Sequence, residues 1–306
     1  MQWRKLGRIF VPSGEKPWMR SHATAPIPLR VEGDRWRIFF SSRDALQRSH
    51  VGWFEVRFND PSTVRRIASG PVLAPGSTGQ FDADGVYAFS LVPMGRELWL
   101  YYVGWVRGAK PPLFSAAIGL AVSRDGGLHF RKYGPAPIID RGPHDPCLVA
   151  ALCCRIERRR WRMWYTSGIR WEEDRDGLHS VYHIKYSESR DGIHWRRDGR
   201  VCIALKRGER NVAHPWVLHE SGGYRMWYSR NTALGYRIGY AESRDGLCWT
   251  RRDESVGIDV APRGWDSADI SHPAVLEDNG RRYLLYNGNR FGRDGIGLAV
   301  EASASR

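Results

Sequence analysis

The chain has 306 residues, 42% of them hydrophobic and 12% aromatic, and carries a formal charge of +14. That composition excludes a disordered or collagen-like chain, and no apolar run approaches the length of a membrane span, so no membrane partner is expected. The cations are nearly all Arg and lie in pairs scattered through the sequence; phosphate-tracking surfaces concentrate charge in a tail or stripe, so nucleic acid is not expected as a partner either.

In chain order, the first predicted element is a strand ending in Ile9-Phe10-Val11-Pro12-Ser13-Gly14, an apolar run closed by a glycine. A unit of about 60 residues then repeats five times. Each unit opens on a short apolar run led by polar residues, as in His214-Pro215-Trp216-Val217-Leu218 and His272-Pro273-Ala274-Val275-Leu276. After a Gly or Asn turn comes an aromatic strand, at 36–40, 98–102, 161–165, 224–228 and 283–286. A third strand alternates small and aromatic residues, as in Ile238-Gly239-Tyr240-Ala241-Glu242, with relatives at Val51, Ile118, Ile184 and Ile296. A fourth ends shortly before a glycine, at Val72-Leu73, Ile138-Ile139, Ile203-Ala204 and Asp259-Val260.

The fifth unit stops after its third strand, at 298–301, so the N-terminal strand is expected to complete it and close a ring. No stretch of helical length keeps a 3.6-residue period uninterrupted. The expected fold is therefore all-β, a five-bladed β-propeller of four-stranded antiparallel blades, forming one domain over residues 1–306.

Within the units, Ser-Arg-Asp-Gly followed by an aromatic residue occurs at 123–130 (with one extra residue), 189–195 and 243–249. The phrase joins third and fourth strands. Asp125, Asp191 and Asp245 are expected to accept backbone N–H bonds, Gly126, Gly192 and Gly246 to supply positive φ, and Phe130, Trp195 and Trp249 to pack. Identical residues in several blades suit a scaffold, because an active site is asymmetric.

The connections between second and third strands share the opposite face with the connections between blades, and there the residues differ from unit to unit. Arg20 with His22, Asp82 with Asp84, His144 with Asp145, Glu209 with Arg210 and His214, and Trp265 with Asp266, Asp269 and His272 lead into the innermost strands. Those strands converge on the axis. Counted from each preceding glycine, His22, Asp84 and His272 fall at one offset and are expected in one layer. Trp105, Arg107, Arg170, Trp171, Glu172, Arg230, Asn231, Asn287, Asn289 and Arg290 lie in the second-to-third connections. Indoles on which sugar C–H faces stack, with paired donors and acceptors around them, suit a carbohydrate ligand, and the basic funnel suits an anionic sugar or phosphate. The expected substrate-binding residues are His22, Arg20, Trp105, Trp171, Arg210, Arg230, Trp265, His272, Asn289 and Arg290.

The segments Tyr186-Ser187-Glu188-Ser189-Arg190-Asp191-Gly192-Ile193-His194-Trp195 and 240–249 resemble blade turns of the five-bladed propeller glycosidase superfamily. That superfamily includes the arabinanases and xylosidases of glycoside hydrolase family 43, the invertase and levansucrase relatives, and the mannoside phosphorylases of family 130. The resemblance implies the fold over the whole chain and carbohydrate as substrate class. Family 43 enzymes place an Asp base in the first blade, an orienting Asp-Pro in the third and a Glu acid leading the fourth. Asp145-Pro146 matches the middle element; the first blade reads His22-Ala23-Thr24-Ala25-Pro26 without an Asp, and the fourth reads Ala213-His214-Pro215, with Glu209 displaced.

Cleaving a glycosidic bond takes an acid and a base or nucleophile about 5–9.5 Å apart. Asp84, Asp145 and Asp269 come from three blades as candidates, with Glu209 or His214 handling a proton or binding a hydroxyl. The leading expectation is a carbohydrate-active enzyme of glycosidase type. The alternatives are a non-catalytic carbohydrate-recognition propeller in polysaccharide assembly, and a glycoside phosphorylase holding phosphate with Arg20, Arg210, Arg230 and Arg290. No cofactor is expected, except that His22, His144, His214 and His272 leave open an axial metal ion. Cys147, Cys153, Cys154, Cys202 and Cys248 have no metal-ligand spacing and are expected as free thiols in a reducing, cytoplasmic compartment.

Overall fold

The computed structural model describes residues 1–175 and 177–302. The chain is all-β, and one strand, β1 (Trp3–Phe10), precedes five antiparallel meanders. The first comprises β2 (Ser21–Glu32), β3 (Arg35–Arg43) and β4 (Ser49–Arg57), with the short β5 (Arg66–Ile67) on its outer edge. The second has β6 (Gly85–Met94), β7 (Glu97–Arg107) and β8 (Phe114–Ser123), edged by β9 (Arg131–Lys132). The third has β10 (Leu148–Glu157), β11 (Arg160–Asp174) and β12 (Gly177–Ser189), edged by β13 (Trp195–Arg196) and β14 (Val201–Ile203). The fourth has β15 (Glu209–Glu220), β16 (Gly223–Thr232) and β17 (Gly235–Ser243), edged by β18 (Thr250–Arg251). The fifth has β19 (Ser271–Asp278), β20 (Arg281–Asn287) and β21 (Ile296–Glu301), and its outer strand is β1, paired antiparallel with β21 from Trp3↔Glu301 to Phe10↔Ile296.

Among the described residues, a full fourth strand, expected in every unit, is present only where β1 supplies it. Elsewhere the outer edge pairs for two or three residues, leaves the sheet, and returns as an apolar pair, as when Val72 N–H donates to Val51 O and Ile138 N–H to Ile118 O. Gly70-Pro71 and Pro135 with Pro137 interrupt the edge, since proline brings no ladder donor.

Side-chain bonds link consecutive meanders all the way round. Backbone N–H groups of Ala88, Cys154, His214 and His272 donate to Ser41, Ser90, Thr166 and Ser229 at 3.2, 2.9, 3.2 and 2.9 Å, and Ala25 N–H donates to Asn287 Oδ1 of the fifth meander at 2.9 Å. The middle strands are buried on both faces by this stacking. That is why they read as aromatic runs instead of alternating patterns.

Four meanders share a buried clip. A tyrosine from the middle strand donates to a carboxylate that a cation also holds: Tyr102 and Lys132 on Asp82 (3.0 and 2.6 Å), Tyr165 and Arg197 on Asp145 (3.1 and 2.7 Å), Tyr286 and Lys5 on Asp266 (3.1 and 2.7 Å), and Tyr228 and Lys206 on Asp253. In three of them the tyrosine lies over a third-strand glycine, so tightly that a Cβ at Gly119 would stand 2.3 Å from the Tyr102 ring. In the first meander Phe40 takes the tyrosine position, and Trp18 covers Gly52.

The repeated Ser-Arg-Asp-Gly turns behave as scaffold. Asp191 accepts the N–H groups of Ile193 and His194 at 2.9 and 2.8 Å, and Asp125 and Asp245 repeat the pattern. Gly126, Gly192 and Gly246 have φ of 73, 77 and 73°. Each turn also staples its meander to the one before: Gly126 O accepts from Arg37, Gly192 O from Tyr101, and Gly246 O from Trp164.

Candidate functional site

The inner strands β2, β6, β10, β15 and β19 lie around a common axis, each against the next and β19 against β2. Every one carries a bulge, where the register slips at Thr24/Ile27, Ala88/Ser90, Ala150/Leu152, Ala213/Trp216 and Ser271/Ala274. At three bulges a left-handed residue precedes a proline: Ala25-Pro26, His214-Pro215 and His272-Pro273, with φ of 56, 58 and 54°. Positive φ is uncommon outside glycine, and conspicuous when repeated at one level of a structure.

The bulges bring side chains of all five strands together. Ala25, Phe89, Leu152, His214 and His272 bound a cavity of about 10 Å³, the room of a single water. The rings of His214 and His272 have centroids 3.6 Å apart, and Phe89 of the second meander meets His214 of the fourth at 4.6 Å. Contact between meanders that are not neighbours means that the axis is filled at this level.

Both imidazoles are held neutral. Burial pushes His272 down to about 3, and burial, reinforced by the charge of His272, holds His214 well below the ordinary histidine range. Ser271 Oγ lies 2.7 Å from His272 Nδ1, whereas the buried Nε2 of His214 has no hydrogen-bond partner among the described residues. The expected layer of His22, Asp84 and His272 is corrected by this geometry. Ala25 holds the first meander's place, His22 lies three residues nearer the loops, and Asp84 precedes β6. Offsets from glycine misled because the loops entering the inner strands differ in length.

On the loop side of this plug, polar and aromatic side chains gather around the axial mouth, the level at which His22 sits. His22, left-handed at φ 64°, has Nδ1 2.9 Å from Ser21 Oγ; burial, then the charges of Arg43, Arg293 and Arg290, lower it to about 4. The Arg43 guanidinium donates to Tyr87 Oη at 3.2 and 3.3 Å and has no carboxylate partner among the described residues. On the other side Tyr236 meets Phe291 at 5.1 Å, and burial, tempered by Asn211 and Asn231, raises its hydroxyl to about 12. Burial likewise pushes the hydroxyl of Tyr182, near Tyr236, up. Arg43, Tyr87, Tyr182, Tyr236 and Arg293 were not among the residues expected from sequence. Tyr87 and Phe89 alternate on an inner strand, a period-2 signal that a search confined to loops passes over.

Four carboxylates were expected around this axis, and three are committed elsewhere. Asp145 is 0% exposed inside its clip, with Lys185 Nζ at 3.5 Å in addition to Tyr165 and Arg197. Glu209 accepts two bonds from Arg251 at 2.8 and 2.6 Å and one from Lys206 N–H at 2.8 Å; burial pushes its carboxyl up, but these donors prevail and keep it below the usual range. Asp84 accepts from Arg107 Nη1 at 2.5 Å and from Arg107 N–H at 2.8 Å. Asp269 differs, being half-exposed and held by the backbone N–H groups of Tyr236 at 2.7 Å and Arg290 at 3.3 Å, with no side-chain cation on it among the described residues.

The expected binding residues also divide. Trp265 stacks on Tyr286 at 5.5 Å and presses on Gly288 and Gly297, so it packs the fifth meander. Trp105 donates to Ser49 at 2.8 Å and Trp171 meets Phe114 edge-on at 5.5 Å; both are half-buried between meanders. Arg20 donates to Gly14 O at 2.8 Å, Arg210 pairs with Asp174 at 3.2 Å and Arg230 with Glu209 at 3.4 Å. Asn289 braces the loop carrying Asp269, accepting its N–H at 3.0 Å, and the adjacent Arg290, left-handed at φ 56°, reaches Asp294 at 2.7 Å. The four histidines do not assemble: His144 is exposed and lies against Gly199. No group of three or more His, Cys, Asp or Glu among the described residues is arranged to hold a metal.

No family model matches the chain. Two Mycobacterium tuberculosis proteins, Uncharacterized protein Rv1502 and Uncharacterized protein MT1551, are each 40% identical to it over 301 residues, 98% of this chain and 99% of theirs. Among solved structures, the complex of BT0996 with RGII superposes with a TM-score of 0.79 at 17% identity, over 99% of this chain and 92% of that one. A thermostable family-43 glycoside hydrolase gives 0.67 at 18% over 92% and 88%. The Bombyx mori GH32 β-fructofuranosidase BmSUC1 gives 0.60 at 17% over 91% and 61%. At such identities the structures establish a shared fold.

Proposed function

The chain belongs to the family of Rv1502, and we propose that it is a carbohydrate-active protein of glycosidase type, a single five-bladed propeller closed by β1, that binds a sugar at the axial mouth. The observation that carries this reading is the convergence of five inner strands on a plugged axis, with His22, Arg43, Tyr87, Tyr236 and Asp269 around the mouth above the plug. Neutral imidazole and phenol groups supply both donors and acceptors for sugar hydroxyls, and aromatic faces supply stacking. Arg43 without a carboxylate partner favours a sugar bearing a carboxylate or phosphate. The likeness to glycosidase folds supports the substrate class.

Asp269 is the carboxylate this reading assigns to the reacting centre, because its oxygens face backbone N–H groups and not a cation. Asp145 and Glu209 are read as structural. A phosphorylase loses support, since Arg210 and Arg230 are already paired with carboxylates. One observation favours a second reading, non-catalytic recognition in polysaccharide assembly: three of the four candidate carboxylates are neutralised by internal cations. A cytoplasmic setting draws support from five free thiols, three of them buried.

Product analysis of oligosaccharides incubated with wild type and Asp269→Asn separates the two. Turnover lost in the variant with binding retained supports the glycosidase; binding without turnover in both supports recognition.

A further inference from the structure

Four arginines far apart in sequence, Arg158, Arg159, Arg190 and Arg244, fall on one face of the stacked meanders. In each antiparallel meander the turn between first and second strands and the turn after the third fall on one face, opposite the axial mouth. On that face the third meander carries a hairpin turn made of Arg158 and Arg159, closed by the pair Glu157↔Arg160. Their φ values are 47 and 64°. Two-residue hairpin turns that need positive φ at both positions strongly prefer Asn and Gly. Of the corresponding turns, Asn279-Gly280 is also left-handed at both positions, with φ of 48 and 70°, and obeys that preference, while Gly33 and Gly95 take the single positive φ of theirs at 54 and 61°.

An arginine pair at this place strains the backbone and offers nothing to the fold in return. Both side chains are exposed, and neither has an acidic partner among the described residues. Arg190 and Arg244, exposed in the Ser-Arg-Asp-Gly turns, lie on the same face; the turn of Arg244 is stapled onto the third meander through Trp164. Ile156, two residues before the hairpin, is 41% exposed.

We propose that this face docks on an anionic phospholipid bilayer, with Arg158 and Arg159 on lipid phosphates and Ile156 at the acyl boundary. Guanidinium groups match phosphate oxygens in pairs, and each cation held near an anionic membrane adds to the attraction. The exposed isoleucine favours a bilayer over nucleic acid, which offers it no apolar phase. Docked this way, the axial mouth faces away from the membrane.

Flotation of the full chain with vesicles tests the proposal, comparing phosphatidylglycerol–phosphatidylcholine with phosphatidylcholine alone. The variant Arg158→Asn, Arg159→Gly installs the residues such a turn prefers, so it folds. Wild type is expected to float with anionic vesicles at low salt and to be released at high salt. The variant should partition at least about tenfold more weakly, with an unchanged or higher Tm. Equal flotation with neutral vesicles, none with anionic ones, or a variant that floats like wild type overturns the proposal. So does tighter retention on duplex DNA than on the vesicles, and a lower Tm in the variant overturns the argument from strain.

Discussion

His214 and His272 stand with ring centroids 3.6 Å apart, each a left-handed residue before a proline on neighbouring inner strands. The fold keeps both neutral by burial, as it does His22. In the unfolded chain each takes up a proton near pH 6.5. Below that pH the unfolded state binds protons that the folded state refuses, so stability is complete above about 6.5 and is lost as pH falls toward the folded values, about 4 for His22 and about 3 for His272.

The urea midpoint should accordingly hold steady between about pH 8 and 7 and fall between about 6.5 and 4.5, before carboxylates begin to titrate. His272→Asn tolerates the left-handed backbone and cannot titrate, so it should flatten that fall. A variant with the wild-type slope contradicts the assignment.

Asp145→Ala leaves Arg197, Lys185 and the Tyr165 hydroxyl around an empty buried position. Removing one partner of a buried pair costs about 3–5 kcal/mol, so a large drop in denaturation midpoint is expected. A midpoint equal to wild type, with a functional defect, would return Asp145 to the reacting centre.

Gly126 and Gly192 share a conformation but not surroundings. A Cβ at Gly126 meets nothing within 4 Å, while one at Gly192 would stand 2.7 Å from the Tyr101 hydroxyl and 2.9 Å from Trp161. Gly126→Ala should cost about 1–2 kcal/mol for positive φ alone. Gly192→Ala should cost that plus about 1–3 kcal/mol of overpacking, read from paired urea curves. Equal losses would mean that the turn is not a staple.

Arg43→Gln should weaken binding of an anionic oligosaccharide by roughly tenfold and spare a neutral one, in line with a charge-assisted bond of about 1.5–3 kcal/mol. Titration calorimetry with a matched pair of glycans reads the difference. Equal weakening of both would assign Arg43 to shape instead of charge.

The strands and the pairing of β1 with β21 were legible because strand period and turn chemistry are local, and repetition amplified them. Asp125, Asp191 and Asp245 announced their role by recurring. The clip carboxylates recur too, but at positions set by loops of unequal length, so Asp145 looked like a lone motif residue and not one of four equivalents. Tyr87 and Tyr236 read as ordinary strand residues; their place at the mouth comes from bulges that redirect the inner strands, which no spacing of glycines reports. The convergence of Arg158, Arg159, Arg190 and Arg244 on one face was equally hidden, because it exists only once the meanders are stacked.

The central claim is that a sugar binds at the axial mouth. A glycan array probed with wild type, Tyr236→Ala and the Arg158→Asn, Arg159→Gly variant tests it most directly. A defined set of glycans is expected to be retained by wild type and by the far-face variant and lost by Tyr236→Ala. No retained glycan in wild type, or the same set retained by Tyr236→Ala, would contradict it.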